Sequence, residues 1–234
     1  MENILEVRDL VVDYGIIRAL KGIDLDIPKG KVVIVLGANG AGKTTMMRTI
    51  SGVVKSASGS IKYDGKEIRN KPAYAIAKMG LSQSPEGRLI LNGLTTEDNL
   101  RIGGYTLKSS QVNKNMERVF EMFPILKERR SQQATTLSGG ESFLASLALA
   151  LGLSDEVQMS TGIHLDTLFV DEGFGSLDEE TLDQAMKAIQ TLAEDGGRIV
   201  GIISHVTELQ NRIDRQLLVR KMKSGGSTAT INIL

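Results

Sequence analysis

The 234-residue sequence contains no cysteine, which excludes disulfides, thiolate zinc sites and thiol catalysis and is compatible with a reducing compartment. It also lacks net charge. Its 28 Lys and Arg residues stand against 28 Asp and Glu, a balance that argues against a general polyanion binder and makes DNA an unexpected partner. Long apolar runs are missing. The longest, Phe143 to Leu153, falls well short of the ~20 residues a membrane helix requires. The N-terminus carries Glu2, Glu6, Arg8 and Asp9 where an export signal needs an apolar core, so the chain is expected in the cytoplasm, and at a membrane only as a peripheral subunit. Internal repeats, low-complexity tracts and heptads are absent as well, which leaves no long coiled coil. What remains is a 41% apolar globular chain, long enough to bury roughly 70 to 75% of its unfolded surface without a staple.

Within that chain the periodicities point to an α/β core. From Ile23 to Ile27 apolar residues alternate with Asp24 and Asp26, the pattern of a strand with one wet face. Lys31 to Leu36 is almost wholly apolar and β-branched, ends in glycine and precedes a helix-compatible stretch from Lys43 to Ile50, as a buried parallel strand feeding a helix does. Thr167 to Val170 and Arg198 to Ile203 repeat the design, leading into helices at Glu179 to Ala193 and around Val206 to Ile213. Ser84 to Thr136 is polar, with helical patches at Glu97 to Ile102 and Val112 to Phe123, and predicts a helical subdomain. Gln216 to Val219 and Thr228 to Ile233 flank Ser224, Gly225 and Gly226 and predict a hairpin.

The chemistry concentrates in three motifs. Gly37-Ala-Asn39-Gly40-Ala41-Gly42-Lys43-Thr44-Thr45 lies between a buried strand and a helix. Glycines there let backbone N–H groups turn around phosphates, the helix N-terminus adds its positive dipole end, Lys43 reaches the β- and γ-phosphates and Thr44 offers a hydroxyl to Mg²⁺. The bland alternative, a Gly-rich turn that happens to contain lysine, does not account for strand, spacing and helix together. Second, the strand Leu168-Phe169-Val170 ends in Asp171 and Glu172. Two adjacent carboxylates can divide the labour, Asp171 holding Mg²⁺ and Glu172 polarising the water that attacks the γ-phosphate. Third, Ser138-Gly139-Gly140-Glu141 heads the apolar helix that runs to Leu153. Taken alone, it reads as an N-cap.

Together these motifs resemble the ATP-binding cassette ATPases: a P-loop fold with a mixed central sheet carrying helices on both faces, an antiparallel β part and a helical subdomain. That resemblance implies ATP and Mg²⁺ as cofactors and a dimer closing over two nucleotides, with Ser138, Gly139 and Gly140 on the γ-phosphate held by the partner. It further implies Tyr14 stacking on adenine, Gln83 sensing Mg²⁺ and the attacking water, Asp178 in a turn crossing the dimer, and His205 on the γ-phosphate.

The resemblance is to two relatives. Residues 1 to about 136 look like the ATPase of a LivF-type branched-chain amino acid importer, on Tyr14-Gly15, the phosphate loop, Pro85-Glu86-Gly87-Arg88, Thr95 to Leu100 and Phe123 to Arg130. From Leu137 the chain resembles the C-terminal lobe of the SbcC-type repair ATPase, on Ser138 to Leu151, Asp171-Glu-Gly173-Phe174-Gly-Ser-Leu-Asp178 and Ile203-Ser-His205. An importer ATPase normally shows proline where Gly173 stands. The chain thus reads as a hybrid ATPase in three parts: a nucleotide-binding core (1–83), a transporter-like helical part (84–136) and an SbcC-like part (137–234). Half of the docking surface for a membrane permease survives, whereas the coiled coil and the nuclease docking site are gone. Arg212, Arg215, Arg220, Lys221 and Lys223 read as a solvated hairpin face. A working importer ATPase and a DNA double-strand-break repair ATPase lobe remain the alternatives.

Overall fold

The computed structural model describes residues 3–29, 31–84, 90–104, 108–152, 167–196, 199–204, 207–222 and 227–233. Ten strands fall into two sheets. The smaller is antiparallel, in the order β2 (Ile17–Pro28), β1 (Asn3–Tyr14), β4 (Ser58–Tyr63), β5 (Lys66–Glu67). The larger runs β10 (Ser227–Ile233), β9 (Arg215–Lys221), β3 (Val32–Leu36), β8 (Ile199–Ile203), β7 (Thr167–Asp171), β6 (Leu81–Ser84). It is parallel from β9 to β6, and β10 closes it antiparallel to β9.

The five-residue strand β3 shows why an apolar run lacking alternation belongs in the middle of a sheet. Ile34 and Leu36 pack with Leu168, Val170, Val200 and Ile202, Leu144 of α6 (Gly139–Gly152) and Ile189 of α7 (Glu179–Gly196). Val33 and Val35 belong to the opposite cluster, with Met46 and Met47 of α1 (Lys43–Ile50) and Leu5, Val7 and Leu25 of the antiparallel sheet. Residues from before and after position 137 therefore share each core.

Between the sheets' strands lie α2 (Ala73–Ala77) and a helical region built of α3 (Thr96–Gly103), α4 (Ser109–Met122) and α5 (Pro124–Glu128), with α8 (Thr207–Arg212) after β8. Local chemistry starts α3: Thr95 Oγ1 accepts from Asp98 N at 3.1 Å while the Asp98 carboxylate accepts from Thr95 N at 3.4 Å, a reciprocal cap. Buried Asn99 then ties the incoming loop down. Its Oδ1 accepts from Leu91 N at 2.6 Å and its Nδ2 donates to the carbonyls of Leu91 and Thr95. Helix α6 is apolar all round, as a helix enclosed on every side must be, and packs against α3, α4, α5, β6 and β7. A hydrogen bond 3.0 Å long joins its Ser146 to Ser84 of β6, both buried. Where α6 meets α3 and α4 a partly open gap of about 10 Å³ lies among Leu100, Val112, Met116 and Ala148, about the room one water takes, and the Nδ2 of Asn115 beside it is buried with no partner among the described residues.

Strands β1, β4, β5 and β6 and helices α2 and α5 are not marked individually by the periodicity of the sequence. The hairpin strands are, as β9 and β10; the glycine turn between them lies outside the described residues.

Candidate functional site

The phosphate loop follows from β3 and α1. Ala41 N donates to Ala38 O at 3.0 Å, closing a tight turn, and Gly42, at φ +93°, hands the chain to α1 without any side-chain cap. The first amides of α1 have no intrahelical partner and are available to an anion. The glycine at 37 is required by proximity: a Cβ there would collide with the carbonyl oxygen of Val219 on β9. Lys43, only 6% exposed, folds back over the loop, its Nζ donating to Gly37 O at 2.8 Å and Ala38 O at 3.2 Å.

Opposite the loop stands the end of β7. Asp171 is buried, and its Oδ1 lies 3.5 Å from Thr44 Oγ1. This pairs a hydroxyl with a carboxylate, both hard oxygen donors of the kind Mg²⁺ prefers. Glu172 follows at φ +57°, a left-handed conformation that costs a non-glycine residue about 1 to 3 kcal/mol. It is held there by its own N–H donating to Ile203 O at 3.0 Å. The turn aims Glu172 at a cavity of about 410 Å³ lined by Asn39, Gly40, Gly42, Lys43, Thr44, Thr45 and Glu172, with Ile17, Arg18 and Ala19 of β2, Lys221 of β9 and Ser227 of β10.

Gly173 is set by the same turn. At φ +99° it lies where no proline can, and a Cβ would fall 2.6 Å from the Phe143 ring of α6, which packs edge-on against Phe174 with centroids 4.7 Å apart. All three residues belong to the second half of the chain and fit one another. Gly173→Pro, the importer-like residue, should lower stability by about 3 kcal/mol or more, because proline locks φ near −65°. An unchanged urea midpoint for that variant would show that the turn adapts.

The remaining candidates stand apart from the cavity. Ser138 is exposed at the start of α6, where it and Glu141 cap the helix reciprocally, Glu141 N donating to Ser138 Oγ at 3.2 Å and Ser138 N to Glu141 Oε2 at 2.8 Å. The Ser138 amide, helped by Arg129, holds the Glu141 carboxyl below the usual carboxylate range. Gly139 and Gly140 follow in the same turn. Asp178 caps α7, accepting from Thr181 N at 2.8 Å, and that bond lowers its pKa. Gln83 lies on β6, its Oε1 accepting from Ser51 Oγ at 2.7 Å and its buried Nε2 without a partner among the described residues. Tyr14 is 47% exposed at the tip of the β1–β2 hairpin. The cavity is lined instead by Ile17, Arg18 and Ala19 from the strand it pairs with. His205 lies outside the described residues.

The basic residues near the C-terminus do not share one solvated face. Arg212 pairs with Asp183, and Lys221 lines the cavity. Neither Arg18, Lys221 nor Ser227 stands out as a site residue in the sequence. The signal for Lys221 is the strand period: it continues the Leu217, Val219 face of β9, which is buried against the loop's own core.

A parallel strand that opens into a glycine loop and helix, faced by an acidic strand end across a polar cavity, defines a P-loop nucleotide-binding α/β protein of the cassette ATPase type. The profile of the family described as ABC transporter matches residues 20–159, and the chain belongs to that family. It is 33% identical over 202 residues to the high-affinity branched-chain amino acid transport ATP-binding protein BraG of Pseudomonas aeruginosa, covering 86% of this chain and 82% of BraG. It is 56% identical over 101 residues to the SbcC component of the nuclease SbcCD of Vibrio cholerae, which amounts to 43% of this chain and 10% of that protein. The N-terminal part matches the former and the C-terminal part the latter. Among solved structures, the dimeric post-hydrolysis state of the cassette MJ0796 bound to ADP and Pi superposes with a TM-score of 0.80 at 19% identity, over 92% of this chain and 93% of that one.

Proposed function

We propose that the chain hydrolyses Mg-ATP in this cavity as a dimer, and that it is a hybrid with no native transport or repair role of its own. The observation that carries the catalytic reading is a cavity at the open N-terminus of α1 lined by Lys43, Thr44 and Glu172, with the buried Asp171 carboxylate 3.5 Å from the Thr44 hydroxyl. Mg²⁺ would be held by Thr44 and Asp171, where it would neutralise phosphate charge. Lys43 exchanges its two loop carbonyls for the β- and γ-phosphate oxygens, and the amides of Gly40 and Gly42 to Thr45 cradle the same group. A water in line with the γ-phosphorus gives its proton to the Glu172 carboxylate as its oxygen attacks; the bond to the β-phosphate bridging oxygen breaks, and ADP and phosphate leave. Ser138 and Asp178, which do not line this cavity in their own chain, would serve the cavity of a second copy, while Gln83 would sense Mg²⁺ and the attacking water and His205 would contact the γ-phosphate. Lys43→Ala should weaken ATP binding at least tenfold, as loss of charge-assisted bonds worth roughly 1.5 to 3 kcal/mol each requires. Unchanged affinity by calorimetry would exclude this loop as the phosphate site.

The hybrid reading, with its boundary put near residue 137, is supported by the 56% identity of the C-terminal part to SbcC over 101 residues, and by the small gap and the Asn115 Nδ2 without a partner among the described residues where α4 meets α6. One observation favours a second reading: the BraG likeness extends over 202 residues, well past that point. On this reading the chain is a peripheral importer ATPase, and no described helix is long and apolar enough to cross a membrane itself. Recovery of the chain with membranes only when a permease is co-expressed would favour it over the hybrid.

A further inference from the structure

We propose that Lys221 is a nucleotide-binding residue, supplied by the SbcC-like half of the chain, whose ammonium binds a phosphate oxygen of the nucleotide held by the phosphate loop. The proposal rests on the reading of the cavity as the ATP site and adds to it a second cationic wall.

Three cations line the cavity: Lys43, Arg18 and Lys221. Two are engaged within the chain. Lys43 donates to the carbonyls of Gly37 and Ala38, and Arg18 forms a two-pronged pair with Asp13, at 2.9 and 3.2 Å. Lys221 is exposed and has no ion-pair partner among the described residues. An ammonium left open beside a space shaped for a polyanion, together with the positive end of α1, raises the attraction for negative ligands and repels cations.

Lys221 reaches that position through the strand it terminates. The β9–β10 stem leans directly on the phosphate loop: the Val219 carbonyl occupies the space a Gly37 side chain would need, and Ser227 Oγ lies 3.5 Å from where a Cβ on Gly42 would be. Lys221 pairs with that same Ser227 across the stem. Side chains two residues apart share a face of a strand. Leu217 and Val219 are both buried in the core that contains Ala41, Met46 and Met47, so Lys221 continues their face beyond the end of the core and into the cavity. A bound nucleotide would then bridge the two halves of the chain, touching Lys43 and Thr44 from one and Glu172 and Lys221 from the other.

The test is calorimetric titration with Mg-ADP, which cannot turn over, of the intact chain and four variants. Lys221→Ala should bind about tenfold more weakly, the loss of one charge-assisted contact, and Lys221→Arg should stay within about twofold of the parent. Lys62→Ala, an exposed strand lysine outside the cavity lining, should also stay within about twofold. Melting temperatures without nucleotide should coincide for the parent, Lys221→Ala, Lys221→Arg and Lys62→Ala, since both lysines are exposed. If Lys43→Ala loses binding while Lys221→Ala keeps it, the assignment of Lys221 falls and the ATP site stands. If Lys62→Ala loses as much as Lys221→Ala, the effect is general surface charge and the assignment falls equally. If the parent chain binds no nucleotide, both readings fall.

Discussion

Glu172→Gln should reduce ATP turnover by about a hundredfold or more while leaving nucleotide binding intact. The substitution keeps the shape of the side chain and removes only its capacity to take a proton, so the effect belongs in the chemical step. The backbone gives a further reason to expect so clean a result. Residue 172 is held at φ +57° by its N–H bond to Ile203 O, a constraint that glutamine meets as glutamate does, so the turn, Gly173 and the Phe143–Phe174 pair should remain in place. The variant should therefore keep the stabilisation by nucleotide, ~2.7 kcal/mol at a hundred times the dissociation constant, visible as a raised melting temperature. Steady-state phosphate release near the parent rate would remove Glu172 from the role of base.

A larger effect is expected from Ser138→Arg, which should abolish turnover although Ser138 lines no part of its own chain's cavity. In the dimeric reading the arginine side chain intrudes on the cavity of the opposite protomer. The decisive measurement mixes two dead proteins. A Ser138→Arg chain retains its own Lys43, and a Lys43→Ala chain retains its own Ser138; a mixed dimer of the two has one cavity with both parts intact. Activity should return on mixing, to at most about a quarter of the parent at equal concentrations if pairing is random and the sites act independently. Two inactive variants that stay inactive when mixed, under conditions where the parent dimerises, would show that Ser138 acts within its own chain or only on folding.

The parts of the fold legible in the sequence are those whose residues answer to one environment. Strands β3, β7 and β8 are enclosed on both faces and read as unbroken apolar runs, each followed by a helix. Strand β1 answers to two environments and is interrupted: its pairing with β2 shifts register between Val7 and Leu10, and Asp9 takes φ +47°. The alternation that would mark it therefore slips out of phase at Arg8 and Asp9. β6 is polar at Ser82 and Gln83 because it is the sheet's edge. At the site, Lys43, Thr44, Asp171 and Glu172 could be found because their neighbours in sequence are also their neighbours in space. Arg18, Lys221 and Ser227 reach the same cavity from other strands, and no motif marks them, the strand period alone pointing to Lys221. Tyr14 and Gln83, singled out by their order along the chain, do not line the cavity: one is exposed at the tip of a hairpin and the other is bonded to Ser51.

The order of the large sheet governs when this protein can fold. β3, which carries the phosphate loop, lies between β8 and β9, pairing Val32 with Val200 and Ile34 with Gln216. During synthesis it leaves the ribosome with both edges bare, and neither neighbour exists until residues 199–221 of the 234 have been made. Contacts so distant in sequence are closed late and slowly, and a bare apolar strand in the meantime is a template for pairing with other chains. The N-terminal half is thus no independent folding unit. Release before β9 would leave the phosphate loop's strand lacking one side of its sheet, which makes the C-terminal hairpin the element whose arrival commits the chain to its native state.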